Sequence, residues 1–355
     1  MRFSKLLVTA AAVGLAVSVS AQPADEPPAE PKARLSDLQE TVDQLLDEES
    51  EPTAPEPEAR SETEAVADEA EVAPEEVAPE EAAAEEPAPE PVEAEASPAP
   101  PAPPLTRAEI AAVERTAERG RLLVQIARAG IIATRDMLSR VSDPEDAGIA
   151  GWIAEPGGNA VEVTFYADAA ADADADAGPR AVYRATVLGG RVTSRETFHG
   201  GEGPQLSPVQ ARMTAARAAA SALEHEACTT QPFNVLVVPP ASADAPIDVY
   251  QVSTPVERGR FPLGGHFRTT VATDGAVADS RAFTNACLDV EGGVPAEGET
   301  VRPIGVTHLL DPTPTEIHMF LAQLVGRPLL VATGEPQRIW LVTGDRIAEI
   351  QPQAD

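Results

Sequence analysis

The sequence predicts an α+β fold: a long N-terminal helix, then duplicated units of a four-strand antiparallel sheet plus a helix, with extra C-terminal strands. Three observations carry this. Apolar spacing switches from a period near 3.6 to a period of 2 after residue 141, the strand-and-helix order then recurs, and the recurrence reaches single residues.

The chain of 355 residues begins with a segment that reads as an export signal. Arg2 and Lys5 precede the apolar run Leu6 to Val19, and Val19-Ser20-Ala21 is a small-residue cleavage site before Gln22. The run is shorter than the roughly 20 residues a spanning helix needs, so residues 1–21 are expected to be removed. A periplasmic or secreted protein follows, without stable membrane insertion after cleavage.

Residues 22–104 carry 26 acidic side chains against 3 basic ones. From Glu49 to Pro104 the text is almost wholly Glu, Ala, Pro, Asp and Val, with no aromatic residue, which predicts a disordered acidic tether. Within it, Leu35, Leu38, Val42 and Leu45 recur at 3-4-3 spacing, and Ser36-Asp37-Leu38-Gln39 reads as a capping box. A short helix over 34–49 is therefore expected, marginal in isolation and in want of a groove to fold against. Of the net charge of -32, the tether takes -23 and the signal +2, which leaves -11 on Leu105 to Asp355. That sign, with only 4% aromatic residues, speaks against nucleic acid and against an anionic membrane surface as partners.

The body divides on paper into 105–228, a helix plus the first unit, and 229–355, the second unit plus C-terminal strands. Thr106-Arg107-Ala108-Glu109 opens the first helix, with a stripe at Ile110, Val113, Ala117, Gly120, Val124, Ala127, Ile131 and Leu138. Gly120 and Gly130 predict a weak point in it. Arg121, Arg128 and Arg135 repeat every seven residues on another face. Strands are expected at Ile149 to Ala154, Val161 to Tyr166, Ala181 to Leu188 and Arg191 to Phe198, the last two flanking the hairpin turn Gly189-Gly190. Ser207-Pro208-Val209-Gln210 then opens an Ala-rich helix.

The order returns with Asn234 to Val238, Ile247 to Val252, His266 to Thr273 and Ala276 to Phe283, the last pair around Asp274-Gly275. Thr313-Pro314-Thr315-Glu316 opens the following helix, with Glu316 as its capping residue. Leu329 to Ala332, Ile339 to Thr343 and Arg346 to Ile350 are expected to complete a sheet edge. Tyr183-Arg184-Ala185-Thr186-Val187 matches Phe267-Arg268-Thr269-Thr270-Val271, and Ser194-Arg195 matches Ser280-Arg281. Turn-centred pairing then sets Arg184 opposite Arg195 and Arg268 opposite Arg281. Facing like charges destabilise a ribbon unless compensated. Neighbouring carboxylates would compensate them: Glu162 or Glu196 for the first pair, Asp248 or Asp279 for the second. Failing those, the four arginines would form a binding site for an anion or acidic partner.

Cys228 and Cys287 are expected to form a disulfide, the rival being a reactive thiol near His225. Asp172 to Gly178 resembles a calcium loop only loosely, since the glycine falls one position late and Tyr183 stands where a Glu should close the site. His308, Glu316 and His318 are assigned structural roles. No catalytic constellation, metal site or cofactor is predicted. The expected activity is a non-catalytic binding module on a tether, for an envelope protein or peptide. The alternative is a periplasmic hydrolase-type enzyme with a site assembled between the two repeats.

Overall fold

The computed structural model describes residues 102–169, 178–199, 201–293 and 301–350. The signal, residues 22–101 of the tether with the segment 34–49, and the acidic loop Asp172 to Ala177 lie outside these described residues.

Helix α1 covers Arg107–Leu138. The Thr106 hydroxyl accepts from the Glu109 N–H at 3.3 Å, and the Glu109 carboxylate accepts from the Thr106 N–H at 2.7 Å, so two of the helix's orphan donors are satisfied at once. The helix runs through Gly120 and Gly130 without a break. Both glycines are places of close approach. A Cβ at Gly120 would collide with Met319, and one at Gly130 with the Trp152 ring.

The first sheet is a meander in the order β1-β2-β3-β4: Ile149–Gly157, Ala160–Ala167, Arg180–Leu188 and Arg191–Thr197. Helix α2, Pro208–Ser221, follows it, with Ser207 and Gln210 forming its capping box. The second sheet has the order β5-β6-β8-β9: Asn234–Val237, Ile247–Val252, Phe267–Val271 and Val277–Ala282. Between β6 and β8 the chain detours through β7, Arg260–Pro262, which pairs with β10, Asp289–Glu291.

A third sheet follows, in the order β11-β12-β13-β14: Ile304–His308, Leu329–Thr333, Arg338–Val342 and Ile347–Ile350. Strands β11 and β12 are parallel, and α3, Glu316–Val325, is the crossover between them. This corrects two expectations. The C-terminal strands make a sheet of their own with β11, and that sheet is not purely antiparallel. Parallel neighbours need a long crossover, which the 20 residues from Leu309 to Pro328 supply.

Strand alternation sorts the core. Val235 and Val237 join Ile153, Tyr166 and Ala181 under Met213, Ala216 and Ala220 of α2. Leu236, Val238, Tyr250 and Val252 share the opposite cluster with Val163, Tyr183, Leu123, Phe320 and Trp340. Helix α2 therefore covers both large sheets from one side, while α1 and α3 pack on the other. The larger cluster includes side chains from all three sheets, so the described residues on the two sides of residue 228 share it. Arg217 of α2 closes the seam between the sheets. Its guanidinium donates to the Val235 carbonyl at 2.6 Å and occupies the space that a side chain at Gly151 would need.

The two hairpin registers differ. In β3-β4 the Gly189-Gly190 loop has both residues at positive φ, 58° and 75°. A bulge then leaves Thr193 out of the pairing, and Arg184 faces Glu196 while Ala185 faces Arg195. The expected Arg184–Arg195 pair does not form. In β8-β9 the loop holds three residues, Thr273 to Gly275, because the Ala272 N–H bonds the Ala276 carbonyl at 2.8 Å. A bulge between Thr270 and Val271 shifts the register back, and Arg268 faces Arg281. The same arginine pairing was thus expected in both ribbons and exists in one.

Candidate functional site

Two concavities of the described surface bear on function. The larger, about 710 Å³, lies where the two large sheets meet. One wall is the stretch of α1 from Arg121 to Ile132; the other is Phe320 to Gly326 of α3. Its end is built from the turns at Asn159 and Gly189-Gly190 and the segment Val252 to Pro255 after β6. Val124, Ala127, Ile131, Val161, Val187 and Leu324 make the lining apolar, and Arg121 and Arg128 stand at its rim. These are two members of the arginine stripe on α1. Arg121 donates to the Asp345 carbonyl at 2.6 Å, and Gln125 to the Gly158 carbonyl at 3.2 Å. The groove is rigidly framed, since its walls belong to the main core cluster.

The smaller concavity, about 270 Å³, is a polar recess between α1, the second sheet and the start of α3. Here the Tyr250 hydroxyl donates to Glu316 Oε1 at 2.8 Å, and the Arg268 guanidinium lies 3.4 Å from the same oxygen. Arg268 also reaches Asp279 at 3.9 Å. Arg119 pairs with Asp248 at 3.3 Å, and Thr270 donates to Asp248 at 2.7 Å. Burial and the adjacent Glu316 carboxylate push the Tyr250 hydroxyl far above the usual phenol range. Beyond Glu316, Arg281 grips Asp311 with two bonds of 3.0 and 2.6 Å, and His308 Nε2 sits 2.8 Å from the same carboxylate.

Glu316 is not the capping residue. The Thr315 N–H and hydroxyl both bond His318 Nδ1, at 3.0 and 2.9 Å, so His318 caps α3 and Glu316 is released toward Tyr250 and Arg268. The assignment failed because Thr315-x-x-His318 overlaps the Thr313-x-x-Glu316 pattern, and an imidazole nitrogen can accept as a carboxylate does. Two residues apart in the helix, Glu316 and His318 point to different faces, and their partners differ.

Thr315, His318, His308 and Asp311 form a chain of residue types used in proton relays. Their arrangement is closed. Thr315, His318 and His308 are all buried, and the only hydroxyl in the chain already bonds the imidazole that caps its own helix. Burial drives His318 down to about 3, with His308 beside it adding to the effect, so the ring is neutral and serves as an acceptor. His266 is held down to about 4 by burial. Its Nδ1 accepts from the Ser253 N–H at 3.1 Å while Nε2 lies 3.2 Å from the Pro262 carbonyl, a pattern that only the neutral ring with its proton on Nε2 fits.

Each of the four arginines singled out by sequence faces a carboxylate. Arg184 lies 3.4 Å from Glu162, and Arg195 lies 3.0 Å from Asp136 of α1. Asp136 also accepts from the buried Tyr183 hydroxyl, which burial, and then the Asp136 carboxylate, hold far above the usual range. Glu162 and Asp279 were among the expected partners; Asp136, Glu316 and Asp311 were not, because helix-to-sheet contacts leave no mark in local spacing.

Cys228 and Cys287 form a disulfide, which removes the reactive-thiol reading, and His225 stacks on the Phe267 ring at 4.0 Å instead. Among the described residues no three His, Cys, Asp or Glu side chains converge as metal ligands, and no helix is long and apolar enough to cross a membrane. The chain matches no family model, no curated protein and no solved structure.

Proposed function

We propose that this is an exported, non-catalytic binding module of the cell envelope, carried on its acidic tether, that takes an apolar segment of a protein or peptide into the groove between α1 and α3. The observation that carries this reading is the groove itself: about 710 Å³ of largely apolar lining held open by core elements. Well-formed apolar clefts with a few placed polar groups are where proteins bind ligands. The polar recess supports the same choice from the other side, because its two acids, Asp248 and Glu316, are taken up by Arg119 and Arg268, and the second of these pairs holds α3 against the second sheet.

The export reading rests on the signal-like N-terminus, and the disulfide is compatible with an oxidising compartment. We read the two large sheets as copies of one four-strand plan, their shared strand order supporting a duplication and the groove marking the joint between copies. Helix α1 packs on the sheet that follows it, and α2 packs on the sheet that follows it as well as on the one before, so a phase of helix then sheet fits both helices.

The test is a photo-activatable side chain placed at Ile132, in the groove, and separately at Ile339, exposed on β13. In the producing cell, the first is expected to form a discrete adduct with another envelope protein and the second none. Identical adducts from both positions, or none from Ile132, overturn the reading.

A further inference from the structure

We infer that the resting occupant of this groove is the chain's own segment Leu35 to Leu45, seated in cis, which an external partner must displace. The inference rests on the groove being the binding site and adds how that site is regulated.

Three observations converge. The first is chemical complementarity. The groove is apolar with Arg121 and Arg128 at its rim. Residues 34–49 offer Leu35, Leu38, Val42 and Leu45 at helical spacing, surrounded by six acids (Asp37, Glu40, Asp43, Asp47, Glu48 and Glu49) against the single base Arg34. An amphipathic helix laid in an apolar groove is a common mode of peptide recognition, read as anchors at such spacing.

The second is length. Leu35 to Leu45, as a helix, is about 15 Å long at 1.5 Å per residue, and the α1 wall from Arg121 to Ile132 is about 17 Å by the same measure. Two heptads are too short to be stable alone, so the segment needs such a wall.

The third is reach. Helix α1 starts at Arg107, about 27 Å along its axis from Gln125 in the middle of the groove wall. The Pro-rich, acidic stretch of 52 residues between Glu49 and Ala102 can reach up to about 160 Å at 3.1 Å per residue, more than the distance required. Tethering makes the contact intramolecular, which raises its occupancy over that of a free segment. A partner carrying a better apolar helix would then compete with the segment, and the acidic segment would exclude weaker or acidic competitors.

Hydrogen–deuterium exchange on the chain from Gln22 to Asp355 tests this directly. Amides of residues 35–45 are expected to exchange at least about tenfold more slowly than those of residues 60–90, whatever the protein concentration. Leu38→Asp with Val42→Asp should abolish that protection and raise the Ile132 photo-adduct with the external partner. Arg128→Glu, at an exposed position of α1, should reduce the protection several-fold while leaving exchange in the strands unchanged. Protection equal to that of residues 60–90, insensitive to both changes, or appearing only as protein concentration rises, overturns occupancy in cis; the last outcome assigns the groove to a second copy. If residues 35–45 are unprotected yet the Ile132 adduct forms, only this inference fails. Loss of both removes the groove as a binding site.

Discussion

The first and second sheets share a strand order and an arginine-bearing ribbon, yet they anchor those arginines in different ways. In the first, Arg184 meets Glu162 from the neighbouring strand, and both side chains are substantially exposed. In the second, Arg268 and Arg281 face each other across the ribbon and are held by Glu316 and Asp311, which belong to α3 and the loop before it. The difference follows from loop length: both ribbons carry a bulge at the same step, and only the second has a three-residue loop for that bulge to offset. Leaving Thr193 unpaired moves Arg195 one place along its strand, so a like-charged pair becomes Arg184 beside Glu196. Where the pair survives, the protein needs counter-charges from outside the sheet, and those acids then tie α3 to it. Register at a hairpin thus decides which arginines face one another, while Arg195 of the first sheet, facing Ala185, is still held from outside the sheet by Asp136 of α1.

The largest expected effect comes from the covalent link in the second half. Replacing both Cys228 and Cys287 by Ser opens a loop of 59 residues and should cost about 2–5 kcal/mol, read from urea unfolding midpoints. The same treatment of wild type under reducing conditions should give the same loss. An unchanged midpoint would mean that the second sheet is held by its acids and arginines alone.

Next is Glu316→Gln. It keeps an acceptor for the Tyr250 hydroxyl but leaves Arg268 with only the more distant Asp279. Loss of one partner from a mostly buried pair should cost about 2–3 kcal/mol, discounted from the fully buried case because Arg268 is partly exposed. Stability should also depend on pH through the second half. His266 and His318 are held neutral, at about 4 and about 3, below the ordinary imidazole value. The unfolded chain therefore binds more protons than the folded one between pH 6.5 and those values. Their contribution is complete above about pH 6.5 and is lost as pH falls through 4 and then 3. Burial is the main cause in each, and geometry agrees, because a proton on Nδ1 would confront the N–H of Ser253 or of Thr315. His266→Gln should flatten the slope of unfolding free energy between pH 6.5 and 4. An unaltered slope would place the acid sensitivity elsewhere.

These contrasts show what the sequence could reveal. The alternation at Asn234 to Val238 and the caps at Thr106 and Ser207 were legible because each depends on residues within one turn or one strand. The disulfide was legible from there being two cysteines. The Arg268–Arg281 pair was expected for an incomplete reason: a three-residue loop shifts the register one way and a bulge shifts it back. With Gly189-Gly190 making a true two-residue turn, the bulge at Thr193 had nothing to offset, and the parallel expectation failed. Bulges depend on sheet twist and on what packs above the strand, and no short pattern encodes them. The groove was illegible for a related reason. It is a gap left beside the packed helices α1 and α3 by two turns, and each contributes residues that read as an ordinary apolar face.

The smallest effect bears most directly on the comparison. Glu162→Gln removes the counter-charge of Arg184 in the first sheet, where the two side chains keep 43% and 29% of their exposure. Solvent screens such a pair, and exposed ion pairs are worth about 0–1 kcal/mol. Arg184 also retains Glu196 as its cross-strand neighbour, an oppositely charged pairing that the bulge created. We therefore expect a shift of about 0.5 kcal/mol in urea unfolding, weakened further by added salt, while Glu316→Gln at the equivalent step of the second sheet is several times larger and less sensitive to salt. A double-mutant cycle of Glu162→Gln with Arg184→Gln isolates the pair. A coupling above about 2 kcal/mol would show that Arg184 is as deeply engaged as Arg268, and the distinction between a surface charge and a tertiary anchor would not hold.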